Sequence, residues 1–160
     1  DISPQAIAMC QQRANQRLHY KLADIRQEQD IFFDLILVLD VIEHLEDYFS
    51  FLRDLKPKSR YKLFQIPLEI SVQGVLRGKI FLRNRDLHGH LHSFTKETAL
   101  RTLEDVGYEV LGYSYSPEYE MPSTVPSTKL MNLPRKLFFA LQQDWAVRIL
   151  GGSRLLVLAT

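Results

Sequence analysis

The sequence predicts an α/β fold, a mostly parallel sheet with helices on both faces, from three observations. The runs FDLILVL (33–39) and LLVLA (155–159) are apolar at every other position or more, as strands inside a helix-covered sheet are. The segments between them repeat apolar residues at helical spacing. Helices and strands alternate along the chain, which favours parallel strands joined by helical crossovers.

Each element has a local reason. Ser3 can accept a backbone N–H as N-cap and Pro4 suits the first helical position, so a helix starts there, with Ile7, Cys10 and Ala14 on one face. HYKLADI alternates, which predicts a short strand over 20–23 and a loop beginning at Asp24. The apolar run ends at Asp40. Leu45, Tyr48, Phe49 and Leu52 then recur at helical spacing, and LKPKSR breaks that helix before YKLFQIP, a strand that Pro67 is expected to terminate. Residues 68–92 show no clean period and read as a lid-like insertion with one helix. Thr95 caps the next helix, which turns Leu100, Leu103 and Val106 inward and closes at Gly107 before the strand YEVLGYSY. A Pro-, Ser- and Thr-rich segment within 116–133 forms a second variable region. It leads to an amphipathic helix over 133–150, ended by Gly151 and Gly152. The closing run, SRLLVLAT, is expected to lie antiparallel at one side of the sheet.

Composition narrows the function. With 160 residues, 46% hydrophobic and 24% charged, the chain reads as one globular domain, 1–160. Twenty Lys and Arg against nineteen Asp and Glu leave a formal charge of +1, with no basic stripe for nucleic acid and no polybasic anchor. The lone Cys10 excludes an internal disulfide, and no apolar run reaches membrane-spanning length, so a cytoplasmic location is expected. The apolar face of 133–150 is core by default and otherwise a lid or a homodimer contact.

In open α/β sheets ligands sit beyond the carboxyl ends of the strands, here Asp1, Asp24, Asp40 and Pro67. An ionised carboxylate only accepts hydrogen bonds, so the three acids suit a ligand rich in hydroxyl and amino donors, such as a nucleoside; Asp is also common at strand ends and caps. Further along, His88, His90 and His92 alternate, so on an extended chain they share a side. By spacing alone they make an incomplete metal site.

DISPQAIAMCQQRA, LADI, FDLILVLDVIEHLEDYFSFLRDLKP and HLHSFTKETALRTLEDVGYEVLGYS, in that order, resemble the successive motifs of Rossmann-like S-adenosylmethionine-dependent methyltransferases of the small-molecule group. The resemblance implies a cofactor site. Asp1 would hold the ribose hydroxyls, Ile2 would pack on adenine, and Asp24 and the Ile25 N–H would meet the adenine edge. Leu39 and Asp40 would lie at the methionine end. The glycine-rich loop after the family's first strand has no counterpart, so the natural protein is expected to extend upstream of Asp1. Lys58 and Ser59 stand where the family has glycines after LKP, which alters a turn but no ligand position.

Some members, the ubiquinone-pathway O-methyltransferases and the small-RNA terminal-ribose methyltransferases, hold a divalent metal with Glu-x-x-Glu-His after the fourth strand. Asp40, Glu43 and His44 correspond to that motif, but with the shorter aspartate first. No metal ligand is therefore assigned, and the question is whether these residues join His90 or His92. His44 and His92 are the candidate catalytic bases toward an acceptor hydroxyl, since imidazole titrates near neutrality. The resemblance implies methyl transfer to oxygen or nitrogen of a small-molecule acceptor. The alternative is a non-catalytic interaction module lacking the cofactor loop.

Overall fold

The computed structural model describes residues 1–117 and 126–160, and side chains outside 118–131. Four strands, β1 (Phe33–Leu39), β2 (Ser59–Leu68), β3 (Val110–Pro117) and β4 (Ser153–Ala159), form one sheet in the order β1-β2-β4-β3. β1 pairs parallel to β2, with Leu37 opposite Leu63. β4 pairs antiparallel to both β2 and β3, placing Val157 between Phe64 and Tyr113. Three strands therefore share a direction, and the last opposes them, as expected. It does not lie at one side, however: Leu155, Val157 and Ala159 are fully buried, and the strand sits inside the sheet.

The core occupies one face. Ile36, Val38, Phe64, Ile66, Leu155 and Val157 project there, closed by Leu52 and Leu55 of α2 (Tyr48–Leu55) and Ala99 and Leu103 of α5 (Lys96–Asp105). Each such aliphatic side chain contributes roughly 1.5–3 kcal/mol by leaving water. On the opposite face the alternate residues of β1 stay open, with Leu35, Leu37 and Leu39 at 47%, 55% and 46% exposure.

The predicted caps hold. Ser3 Oγ accepts from Ala6 N at the start of α1 (Pro4–Cys10), and Thr95 and Thr98 form a reciprocal capping box on α5. Gly107 has φ +90°, the left-handed turn that releases the chain toward β3. Beside it the buried Tyr108 hydroxyl donates to the Leu52 carbonyl at 2.7 Å and ties α2 to that turn.

Several boundaries differ, each for a local reason. Residues 20–23 form no named strand and bend at Ala23; their pairing is limited to two bonds, Ala23 N to Asp1 O (3.0 Å) and the Asp1 amino group to Lys21 O (3.1 Å), the pattern of a single parallel bridge. The helix expected from Leu45 begins at Tyr48 because Asp47 caps it, its Oδ1 accepting from Ser50 N, and Ile42–His44 forms a separate 3-10 turn. β2 runs through Pro67, opposite Arg154, to Leu68, since a proline near a strand end forfeits only one donor. Residues 68–92 hold two helices, α3 (Val72–Arg77) and α4 (Ile80–His88), parted by Gly78 at φ +64°. The single helix expected over 133–150 is α6 (Pro126–Leu141) and α7 (Gln143–Leu150), broken where Gln142 turns extended. Residues 118–125 of the second variable region lie outside the described residues.

Candidate active site

The site grows from the carboxyl end of β1. Asp40 follows its last residue with φ +51°, a left-handed conformation that costs a non-glycine residue roughly 1 kcal/mol and that its surroundings hold in place. Its N–H donates to Gln65 O at 3.0 Å, the Gln65 amide returns a bond to Asp40 Oδ2 at 2.9 Å, and Arg154 Nε reaches the same oxygen at 3.3 Å. Three strands thus converge on one carboxylate. Its other oxygen, Oδ1, is buried and accepts no bond.

The 3-10 turn that follows drives Glu43 into the interior. Glu43 is 0% exposed, and neither carboxylate oxygen has a hydrogen-bond partner. Burial, with the Asp40 and Glu69 carboxylates adding repulsion, raises its pKa from 4.5 to about 7. The Glu43 carbonyl accepts from Leu91 N (2.7 Å) and His92 N (3.1 Å), which lays 89–92 along the turn.

Those backbone bonds gather the histidines. His44 Nδ1 lies 3.2 Å from the Gly89 carbonyl, which can only accept, so Nδ1 carries a proton and Nε2 is the nitrogen not engaged there. That Nε2 is 3.8 Å from Glu43 Oε1. The His90 and His44 rings meet edge to face with centroids 4.8 Å apart. His90 Nδ1 pairs with Glu69 Oε1 at 2.6 Å, and Asn84 and Ser93 donate to the same carboxylate at 2.6 and 2.7 Å. One ligand atom from each of Glu43, His44 and His90 fits within a mutual distance of 4.8 Å. His92 turns elsewhere: its Nε2 donates to the Leu45 carbonyl at 2.9 Å, and its ring meets Tyr48 edge to face. His88 reaches only the rim, 5.6 Å from His90 by centroid.

The remaining expected cofactor residues form a second group. Asp1 Oδ1 accepts from Ser3 N at 2.8 Å, and the bonds from Asp1 to Lys21 and Ala23 bring it beside the segment that ends at Asp24. Ile2 is 71% exposed. Asp24 is ion-paired with Arg26 (2.7 Å), whose hydrogen bonds hold its carboxyl below the usual carboxylate range. Ile25 packs against the same core as Val38 and Ile42 and so ties the second group to the first. Leu39 remains half open at the end of β1.

Glu69, Gln65 and Arg154 were not among the residues expected from sequence. The strand-end rule reaches Glu69 once β2 is seen to run to Leu68 rather than stop at Pro67. Arg154 is visible only when β4 is known to be antiparallel, which brings its amino end to the edge where β1 and β2 finish.

Residues 1–57 match the family model described as a methyltransferase domain. The fold is that of the Rossmann-like S-adenosylmethionine-dependent methyltransferases. A methyltransferase of this kind from Archaeoglobus fulgidus superposes with a TM-score of 0.60 at 16% identity, over 99% of this chain and 73% of its own. The N-methyltransferase NodS of Bradyrhizobium japonicum WM9, in complex with S-adenosyl-L-homocysteine, gives 0.55 at 17% identity, over 99% and 63%. A Haloferax volcanii complex of the Trm112 methyltransferase activator with a methyltransferase gives 0.64 at 10% identity, over 100% and 68%. The chain thus spans about two thirds to three quarters of these structures. No curated protein matches it in sequence. Among the described residues no helix of this methyltransferase-like chain is long and apolar enough to cross a membrane.

Proposed function

We propose that the chain serves an S-adenosylmethionine-dependent methyltransferase that acts on oxygen or nitrogen of a small-molecule acceptor. Asp40 carries the proposal: a left-handed residue at the end of β1 with a buried oxygen, Oδ1, that accepts no bond. Such an orphaned acceptor suits a donor like the ammonium of the cofactor's methionine end. Asp1 offers acceptors for ribose hydroxyls. Asp24, kept ionised by Arg26, offers them to an amino group. Ile2 and Leu39 present apolar surface, and the Ile25 N–H would meet the adenine edge.

The cofactor supplies an electrophilic methyl group on a sulfonium, so the chain's own contribution is orientation and a base. His44, with Nδ1 fixed on Gly89, presents Nε2 as acceptor for an acceptor-hydroxyl proton. His92, donating through Nε2, keeps Nδ1 for the same purpose. The Glu43 carboxylate, buried without a donor beside that His44 Nε2, fits a divalent cation that Glu43, His44 and His90 would hold; with His44 Nε2 so engaged, the base would be His92. Glu69 would fix the His90 tautomer by accepting from Nδ1. A cation there would supply charge for orienting an acceptor oxygen.

Calorimetric titration with S-adenosylhomocysteine, on this chain and on the protein encoded by its full reading frame, tests the proposal. Saturable one-to-one binding by the latter is expected, and its loss in Asp40→Asn. Absence of binding by both would leave the interaction-module reading, which the open apolar row Leu35, Leu37 and Leu39 favours.

A further inference from the structure

Residues 72–88 turn apolar and basic side chains outward together. On α3, Val72, Val75 and Leu76 lie three and four positions apart and share one face, which is open: Leu76 is 82% exposed. The packed side of the helix is another one, where Gly74 is buried and a Cβ on it would already touch Phe81 of α4 at 3.6 Å. α4 in turn holds Ile80, Phe81 and Asn84 half-buried, with Asn84 donating to Glu69 at 2.6 Å, and leaves Leu82 and Leu87 in the open. The apolar face continues onto α7. Val72, Val75, Leu76 and Trp145 line one open hollow, and Trp145 is itself 58% exposed. The charges at that hollow are settled within the fold, Arg148 on Glu97 and Lys96 on Asp144.

Between these apolar residues stand Arg77, Lys79, Arg83 and Arg85, all exposed, and a single acid, Asp86. The segment thus carries a formal +3 on a chain whose total is +1, which leaves the remainder net negative. Arg77 donates to the neutral Gln73 amide at 3.1 Å, in the orientation that pairs both ends of that amide. Among the described residues none of the four cations forms an ion pair.

The combination selects the partner. A polyanion in water, such as a nucleic acid, would pair with the cations and leave the leucines wet. An anionic bilayer takes both: its headgroups meet the cations, while Leu and Trp side chains enter the boundary between headgroups and acyl chains. The long Arg and Lys stems allow their charges to stay at headgroup level beside immersed leucines. The sequence has no polybasic run, so charge alone would attach the chain weakly, and the exposed apolar residues are the second signal that reversible attachment needs.

We propose that the outer surface of α3 and α4, extended by Trp145, docks reversibly on the face of an anionic lipid bilayer. This surface stands apart from the methyltransferase reading and does not rest on it.

Flotation of the protein encoded by the full reading frame tests the surface, with vesicles of phosphatidylcholine alone and of equal parts phosphatidylcholine and phosphatidylglycerol. Binding to the anionic vesicles is expected to exceed binding to the neutral ones by about tenfold or more, and to fall as sodium chloride is added. Lys79→Gln and Arg83→Gln should each weaken it roughly fivefold. Leu76→Ser should weaken it about tenfold. All three residues are exposed, so these variants should keep the wild-type melting temperature. Arg17→Gln, an exposed cation outside the segment, should leave binding unchanged. Binding to neither vesicle, equal binding to both, or unchanged binding in Leu76→Ser overturns the proposal. Equal losses in Arg17→Gln and Lys79→Gln overturn it too, since net charge alone would then be acting. Retention on heparin without vesicle binding would mark a polyanion site instead, and the bilayer proposal would fall.

Discussion

Oε1 of Glu43 stands 3.8 Å from Nε2 of His44, and because His44 Nδ1 donates to Gly89, the two facing atoms are both acceptors unless one carries a proton. The pair is at ease when Glu43 is protonated or when a cation lies between the two. A bare carboxylate facing a lone pair in a buried site is the costly state.

The pH dependence of stability follows from this pair. The Glu43 pKa is raised from 4.5 to about 7 in the folded chain, so the folded state binds the extra proton. Its contribution is fully present below about pH 4.5 and is lost as pH rises toward 7, on the order of 3 kcal/mol in all. Denaturant melts in the presence of a chelator should show stability falling across that window. Glu43→Gln, neutral at every pH, should flatten the slope.

Divalent cations should reverse the loss. Adding manganese or zinc at pH 7.5 is expected to raise the melting temperature of the wild-type chain. Glu43→Gln and His90→Ala should lose that response, while Tyr113→Phe, on β3 away from the cluster, should keep it. Equal shifts in wild type and Glu43→Gln would show that the ions act elsewhere.

Asp40 separates backbone strain from side-chain bonding. Asp40→Ala and Asp40→Gly both forfeit the bonds from Gln65 and Arg154, but only glycine accepts φ +51° freely. The glycine variant should be more stable than the alanine variant by about 1 kcal/mol in urea denaturation. Equal stabilities would mean that the turn relaxes once the carboxylate is gone.

Tyr108 should matter through a single atom. Burial holds its hydroxyl protonated well above the usual tyrosine range, and that hydroxyl donates to the Leu52 carbonyl. Tyr108→Phe leaves the Leu52 carbonyl with only its helical donor, the Lys56 N–H, and should cost about 1 kcal/mol, measured by thermal denaturation.

What the residues announce and what they hide divides by range. Ser3, Thr95 and Gly107 act on neighbours a few positions away, and the structure bears out each. The run 33–39 is a strand by its own composition. Its half-open setting on β1 is not, because period and apolarity do not say what lies across a sheet. Asp40 was legible as a strand end. Glu43 was visible as a charge but not as a buried one, since only packing against 89–92 decides that its turn points inward. The pairing of His90 with Glu69 joins residues 21 positions apart through two helices whose weak periodicity concealed them.

The interior place of β4 also sets an order of events during synthesis. β2 has its parallel neighbour as soon as residue 68 emerges, but its other edge, and the whole inner edge of β3, wait for residues 153–159. Until then two apolar strands hold open backbone edges, the form in which nascent chains associate with one another. A ribosome stalled before residue 153 should therefore carry a chain that binds chaperones, and emergence of the seven residues of β4 from the ribosome should release it.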